Sequence, residues 1–107
     1  MEGLKRGAVI AVAGNSSPWP AVVVQSDHFL ALPTAAVLRI TADLLDAGLL
    51  RVTLAPDARN GLPQPVQVMI DAPAAVAKDR IVAVTGRLDE VAMREIGRAL
   101  LRFFALA

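Results

Sequence analysis

"RIVAVTGRLDEVAMREIGRALLRFFALA", Arg80 to Ala107, is where the pattern of this chain changes. Up to Gly86 the segment is short, β-branched and closed by a glycine, which predicts a strand. From Asp89 onward the apolar residues take helical spacing, and Ala92, Ile96, Ala99, Leu100 and Phe103 fall on one face. Asp89 is a good N-cap, and Glu90 in the first turn complements the positive end of the helix. Arg94, Arg98 and Arg102 stand four apart and make a basic stripe on another side. Gly97 weakens this helix by about 1 kcal/mol relative to alanine unless something packs closely against it. The residues off the main face, Met93, Leu101 and Phe104, are candidates for contact with a second chain. One helix therefore ends the chain.

Upstream, only strand patterns occur. "GAVIAVAG" lies between Gly7 and Gly14, "NSSP" is a loop, and "AVVVQ" is a short β-branched run suited to burial. "DHFLALPT" is a connection closed by Pro33, and "AAVLRIT" and "LRVTLA" are two more strands. "PDARNGLPQP" is dense in turn residues, and its Asn60-Gly61 pair favours positive φ. "VQVMID" alternates, with Gln67, Met69 and Asp71 on one face and Val66, Val68 and Ile70 on the other. Five or six short strands and one C-terminal helix predict a mainly β fold, a small barrel capped by the helix.

Composition narrows the function classes. The 107 residues suit one domain, spanning 1–107, and 55% hydrophobic with only 4% aromatic content means a core of small and branched side chains. A net charge of +1 leaves nucleic-acid binding to local clusters of arginine. Cysteine is absent, so there is no disulfide framework and no thiolate metal site. "MEGLKRGAVIAVAG" loosely imitates a secretory signal, but its apolar part is short beside the usual 7 to about 15 residues. It reads as the first strand of a cytoplasmic protein. No run approaches the roughly 18 apolar residues of a membrane span. There is no phosphate-cradling glycine loop, no metal-ligand cluster and no Ser/His/Asp arrangement, so no metal and no cofactor is expected.

Five segments, in order, resemble the MazF/PemK/Kid family of toxins from toxin–antitoxin pairs. "LKRGAVIAV" is similar to the family's K-R-G-(D/E)-(V/I) opening strand, and "WPAVVVQSD" to R-P-(A/V)-(L/V)-(V/I)-(I/L)-x-S. "VLRIT" resembles V-x-P-(I/L)-T, "NGLPQPVQVMIDAPAAV" the G-L-x-x-x-(S/V)-x-(V/A)-x-x-D segment, and "GRLDEVAMREIGRALLRFFAL" the G-x-L-(D/S)-x-x-x-(M/L) helix. The resemblance implies an SH3-like small β-barrel of the MazF/Kid/CcdB type that forms a homodimer. It further implies metal-independent cleavage of single-stranded RNA and neutralisation by a cognate antitoxin covering the groove. Related members of the fold poison gyrase.

Cleavage of this kind uses the RNA's own 2′-hydroxyl as nucleophile. The protein must accept that proton, donate one to the leaving 5′-oxygen, and stabilise charge on the phosphate. The family threonine falls on Thr41 and its aspartate on Asp71. The family arginine of R-P falls on Trp19, an indole with one N–H and no charge. The arginine that some members carry two residues before the aspartate falls on Met69. In the other direction, the proline of V-x-P-(I/L)-T is replaced by Arg39, which shares a strand face with Thr41. Arg39 is therefore a candidate to supply the missing charge, against an ordinary surface arginine. Trp19 is either a core plug or a platform on which one RNA base stacks. Asp71 assists proton transfer or caps a loop. Gln25, Ser26 and Gln67 read base edges or serve strand ends and turns. Arg87, with Lys78 and Arg80, extends a phosphate-contacting surface or keeps the protein soluble. His28 is a solvated loop histidine or a proton carrier. Two functions follow: an RNA-cleaving toxin using Thr41, Arg39 and Asp71, or an impaired or non-enzymatic member that binds an antitoxin or a gyrase-like protein.

Overall fold

The computed structural model describes residues 1–106; Ala107, which ends the stretch quoted above, lies outside them. Six strands precede one helix: β1 Ala8–Val12, β2 Trp19–Val23, β3 Thr34–Thr41, β4 Arg51–Leu54, β5 Val66–Ala77, β6 Ile81–Arg87 and α1 Glu90–Phe103. All ladders are antiparallel, in the order β4-β5-β3-β2-β1-β6.

Both faces are buried along β1 and at Ala21–Val23 of β2, which is why these read as unbroken apolar runs. One face packs Val9, Val22, Leu38, Ile40, Val68 and Ile70 beneath the helix residues Ile96 and Ala99. The other curls around Ile10, Val12, Ala21, Val23, Val37 and Ile81. β4 and β6 share no ladder, so the sheet stays open between them and the loop after β4 covers the gap. The Arg87 amide donates to the Arg59 carbonyl at 3.0 Å. Asn60, 3% exposed, knots that loop. Its Oδ1 accepts from the Asp57 and Leu62 amides at 3.1 Å each, and its Nδ2 donates to the Ala55 carbonyl at 2.9 Å. Gly61 has φ +64°, as the Asn-Gly pair predicts, and a Cβ there would collide with the Thr85 carbonyl oxygen.

β5 differs from the expected "VQVMID" strand: it has 12 residues and runs through Pro73 to Ala77. A bulge explains the extension. Between the pairs Leu38↔Pro73 and Ile40↔Val68, β3 advances two residues and β5 five. The excess bends β5 so that both of its halves pair with β3, and Pro73, lacking an N–H, sits at the irregularity where no donor is required.

The helix is capped as expected, Asp89 Oδ1 accepting from the Ala92 amide at 2.8 Å. Two side chains differ from the expected faces. Phe103 is 42% exposed, because the apolar cluster beneath the helix ends at Leu100. Met93 is half-buried, packing against that cluster and over Gly7 while still lining a surface hollow beside Arg6 and Glu90. Among the described residues no helix is long and apolar enough to cross a membrane.

Candidate functional site

The connection from β1 to β2 stands over the entrance of β2. Its residues 14–18, with Trp19 and Arg39, line an open cavity of about 340 Å³. The Arg80 side chain braces this loop from the turn just before β6, donating to the Ala13 carbonyl at 2.6 Å.

Trp19 is half-buried, and its ring closes the apolar cluster of Ile10, Val12 and Ala21. The Arg39 guanidinium lies over the same ring, 4.6 Å from its centroid. The register explains the contact. Arg39 is the Cα partner of Ala21, so Trp19, two residues earlier, is its diagonal neighbour on one face. The small Ala21 side chain leaves the guanidinium free to lean across. A cation over an indole is worth about 0.5–1 kcal/mol when exposed and about 2 when desolvated. The one ion pair among the described residues is Arg51–Asp71, so Arg39 has no carboxylate within 4.0 Å. It is a held cation with no anion.

Thr41 follows Arg39 by two positions, and the buried Leu38 and Ile40 alternate with them, so both project to the opposite side. The Thr41 Oγ1 accepts from the Asp43 amide at 3.1 Å, which leaves its own proton for donation. Asp71 belongs to the β5 bulge, which places residues 69–72 opposite Arg39. Its Oδ1 accepts from Arg51 Nη1 at 3.2 Å.

Arg51 was not among the candidates expected from sequence. It is the Cα partner of Met69 on β4 and shares the face of Asp71; its side chain is 11% exposed and its Nε is buried without a partner. The signal lay in "LRVTLA": Arg51 and Thr53 alternate with the buried Val52 and Leu54. That alternation marks a polar face, but only the register shows that Asp71 lies across from it.

Gln67 sits on the same face, 6% exposed and hydrogen-bonded to Leu45 and Thr53. The structure thus brings together Trp19, Arg39, Thr41, Gln67 and Asp71. It sets the other three apart. Gln25 and Ser26 follow the far end of β2: Gln25 bridges the Phe29 carbonyl and the Ala36 amide, each at 3.1 Å, and Ser26 Oγ accepts from the His28 amide at 3.2 Å. His28 is exposed in that turn. Arg87 pairs with Ala8, whereas Trp19 pairs with Val12 at the other end of β1. Arg87 lines a separate hollow of about 450 Å³ beside Arg59. Lys78 bonds the Leu30 carbonyl. Among the described residues no three of His, Cys, Asp and Glu form a group able to hold a metal.

Comparison with known proteins fits this architecture. Residues 5–104 match the family model for the PemK-like, MazF-like toxin of type II toxin–antitoxin systems. A probable endoribonuclease MazF from Mycolicibacterium smegmatis is 32% identical over 108 residues, which cover 97% of this chain and 99% of that protein. Among solved structures, a mycobacterial endoribonuclease in complex with its cognate antitoxin superposes with a TM-score of 0.82 at 19% identity, covering 96% of each chain. The Mycobacterium tuberculosis toxin MazF-mt6 gives 0.78 at 22% identity, covering 92% of this chain and 98% of its own. A chain of the MazE–MazF complex from Deinococcus radiodurans gives 0.81 at 14% identity, covering 96% of each. At these identities the structures show a shared fold, the SH3-like barrel of MazF toxins with its C-terminal helix. The family model and the curated relative carry the assignment further: this chain belongs to the PemK-like, MazF-like toxin family of type II toxin–antitoxin systems.

Proposed function

We propose that the chain, as one toxin domain over residues 1–107, is an endoribonuclease that cuts single-stranded RNA without a metal or other cofactor. The RNA 2′-hydroxyl attacks the adjacent phosphorus, the bond to the 5′-oxygen breaks, and a 2′,3′-cyclic phosphate and a 5′-hydroxyl result. Negative charge grows on the non-bridging oxygens along this path, and fixed donors aimed at it lower the barrier. Arg39 supplies the cation and Thr41 the neutral donor. Asp71, held by Arg51, takes up the 2′-hydroxyl proton, and the leaving 5′-oxygen is protonated by the resulting acid or by water. The protein works in the cytoplasm as a homodimer, and a cognate antitoxin neutralises it. The exposed stripe of Arg94, Arg98 and Arg102 suits an acidic antitoxin segment.

The observation that carries this reading is the Arg39 guanidinium stacked on Trp19 at 4.6 Å beside the cavity. The family arginine is replaced by Trp19 and the family proline by Arg39. The two exchanges together return a cation to the groove from the neighbouring strand, resting on the residue that displaced it.

The test is cleavage of a long unstructured RNA in chelator by the wild type and by Arg39→Ala, Thr41→Ala and Trp19→Arg. Discrete cuts by the wild type, slowed about a hundredfold or more in both alanine variants, support the relocated cation. Cuts by Trp19→Arg alone would mean a disabled nuclease whose groove binds a partner, the antitoxin or a gyrase-like protein.

A further inference from the structure

We propose that Gln67 is a positioning residue for the Thr41 hydroxyl, acting through the segment between β3 and β4. This rests on the reading of Thr41 as a donor to the RNA phosphate, and it assigns Gln67 to the architecture of the groove rather than to base reading.

Gln67 is the Cα partner of Thr41 on β3 and of Thr53 on β4, so the three form one row across the sheet. Its amide is committed at both ends. Oε1 accepts from the Leu45 amide at 2.9 Å, and Nε2 donates to the Leu45 carbonyl at 2.9 Å and to Thr53 Oγ1 at 3.3 Å. A glutamine that closes a two-way pair with one backbone residue acts as a short length of strand.

Little else orders that segment. Residues 42–47 are neither helix nor strand, and Leu44 and Leu45 are 52% and 55% exposed, so no buried apolar side chain of either anchors them. The segment hangs on polar ties: Gln67 grips Leu45, and the Asp43 amide reaches Thr41 Oγ1 at 3.1 Å. The second tie depends on the first, because Asp43 lies only two residues before the gripped position. With one lone pair taken by Asp43, the Thr41 hydroxyl turns its proton away from the segment and toward the face it shares with Arg39. Without the tie, the hydroxyl rotates among backbone and water partners and meets the phosphate in the right orientation for a smaller fraction of the time.

The test uses Gln67→Met, which keeps length and loses every hydrogen bond. Gln67→Glu, which keeps the acceptor for the Leu45 amide and loses the donor, is the milder companion should the first variant not fold. Amide exchange followed by NMR is expected to quicken at Asp43 and Leu45 by about five- to thirtyfold, the loss of one or two net hydrogen bonds at about 1 kcal/mol each, while the β1 and β6 amides are unchanged. With a short RNA, kcat is expected to fall by about the same factor at an unchanged KM and unchanged cleavage sites. In the Thr41→Ala background, Gln67→Met is expected to cost nothing further. Unchanged exchange at Asp43 would overturn the proposal whatever the RNA result. So would a shift of cleavage sequence, which would make Gln67 a base reader, or an undiminished kcat. If the wild type cuts no RNA, the nuclease reading fails, and the exchange measurement still decides whether Gln67 orders the Thr41 tie.

Discussion

Removing the indole from beneath Arg39 separates the two roles open to Trp19. In Trp19→Ala the guanidinium loses a contact of 4.6 Å to the ring centroid. At a partly exposed site that contact is worth about 1 kcal/mol, so Arg39 is held in place about fivefold less and kcat falls by that factor. Arg39→Ala removes the charge itself, and its cost is expected to match that of a lost transition-state donor, about 10²–10³ in kcat. If Trp19 acts only by holding Arg39, the indole is worth nothing once Arg39 is gone, and the double variant equals Arg39→Ala. If Trp19 is instead a platform for a base, its loss costs about 1–3 kcal/mol of RNA binding regardless of Arg39. The assay is a double-mutant cycle on a short oligonucleotide, with kcat and KM determined separately and binding checked with a non-cleavable 2′-O-methyl analogue. Trp19 also plugs the cluster of Ile10 and Val12, so truncation leaves a cavity. Trp19→Phe, which keeps a ring, provides the control, and all rates are taken well below the lowest Tm of the set. Additive effects on kcat/KM, with the loss in KM, would refute the role of Trp19 as the support for Arg39.

Three other outcomes are expected. Asn60→Ala removes the acceptor for two amides and the donor to the Ala55 carbonyl, and at about 1 kcal/mol for each bond it costs about 3 kcal/mol. Urea unfolding measures it, and a loss below about 1 kcal/mol would mean that this loop does not close the barrel. Gly97→Ala meets only Arg6 Nη2, at 3.8 Å, so it should gain about 0.5–1 kcal/mol and raise Tm; a lower Tm would reveal another chain packed on that glycine. Asp71→Asn keeps a hydrogen-bond acceptor for Arg51 and loses the carboxylate. It should cut about 10²–10⁴ more slowly while binding non-cleavable RNA at least as tightly, and unimpaired cleavage would remove Asp71 from the proton path.

The parts of the fold legible in the sequence are those decided within one element. The helix was readable because Asp89, Ile96 and Ala99 set its cap and buried side locally. The Asn60-Gly61 turn was readable because only glycine suits φ +64° there. The second half of β5 was not, since "APAAVA" carries a proline and becomes a strand only because the bulge lets it pair with Thr34–Leu38. Phe103 is more exposed and Met93 more covered than periodicity predicts for a similar reason: helical spacing orders side chains around an axis but does not say where the underlying cluster ends. The site divides along the same line. That Arg39 and Thr41 share a face follows from alternation along one strand. The stacking on Trp19, the Arg51–Asp71 pair and the grip of Gln67 on Leu45 each join residues 20 or more apart.

The Trp19 ring both packs on the apolar cluster and carries the Arg39 guanidinium. An arginine at this half-buried position must keep its charge hydrated while its stem covers the cluster of Ile10 and Val12. An indole covers apolar surface at no such cost, and its other face, rich in π-electron density, attracts a cation. Arg39 starts from an exposed strand position, so it reaches that face without being desolvated. Under the proposed mechanism, the exchange of arginine for tryptophan on β2 thus favours the core and spares the groove only when a cation arrives on β3. The diagonal register between Trp19 and Arg39 makes that arrival possible. A proline at residue 39, as the family pattern has it, would leave Trp19 a plug and remove the unpaired cation, leaving the groove only the Arg51–Asp71 pair. In the proposed mechanism Trp19 and Arg39 together, and neither residue singly, therefore bring the charge to the phosphate.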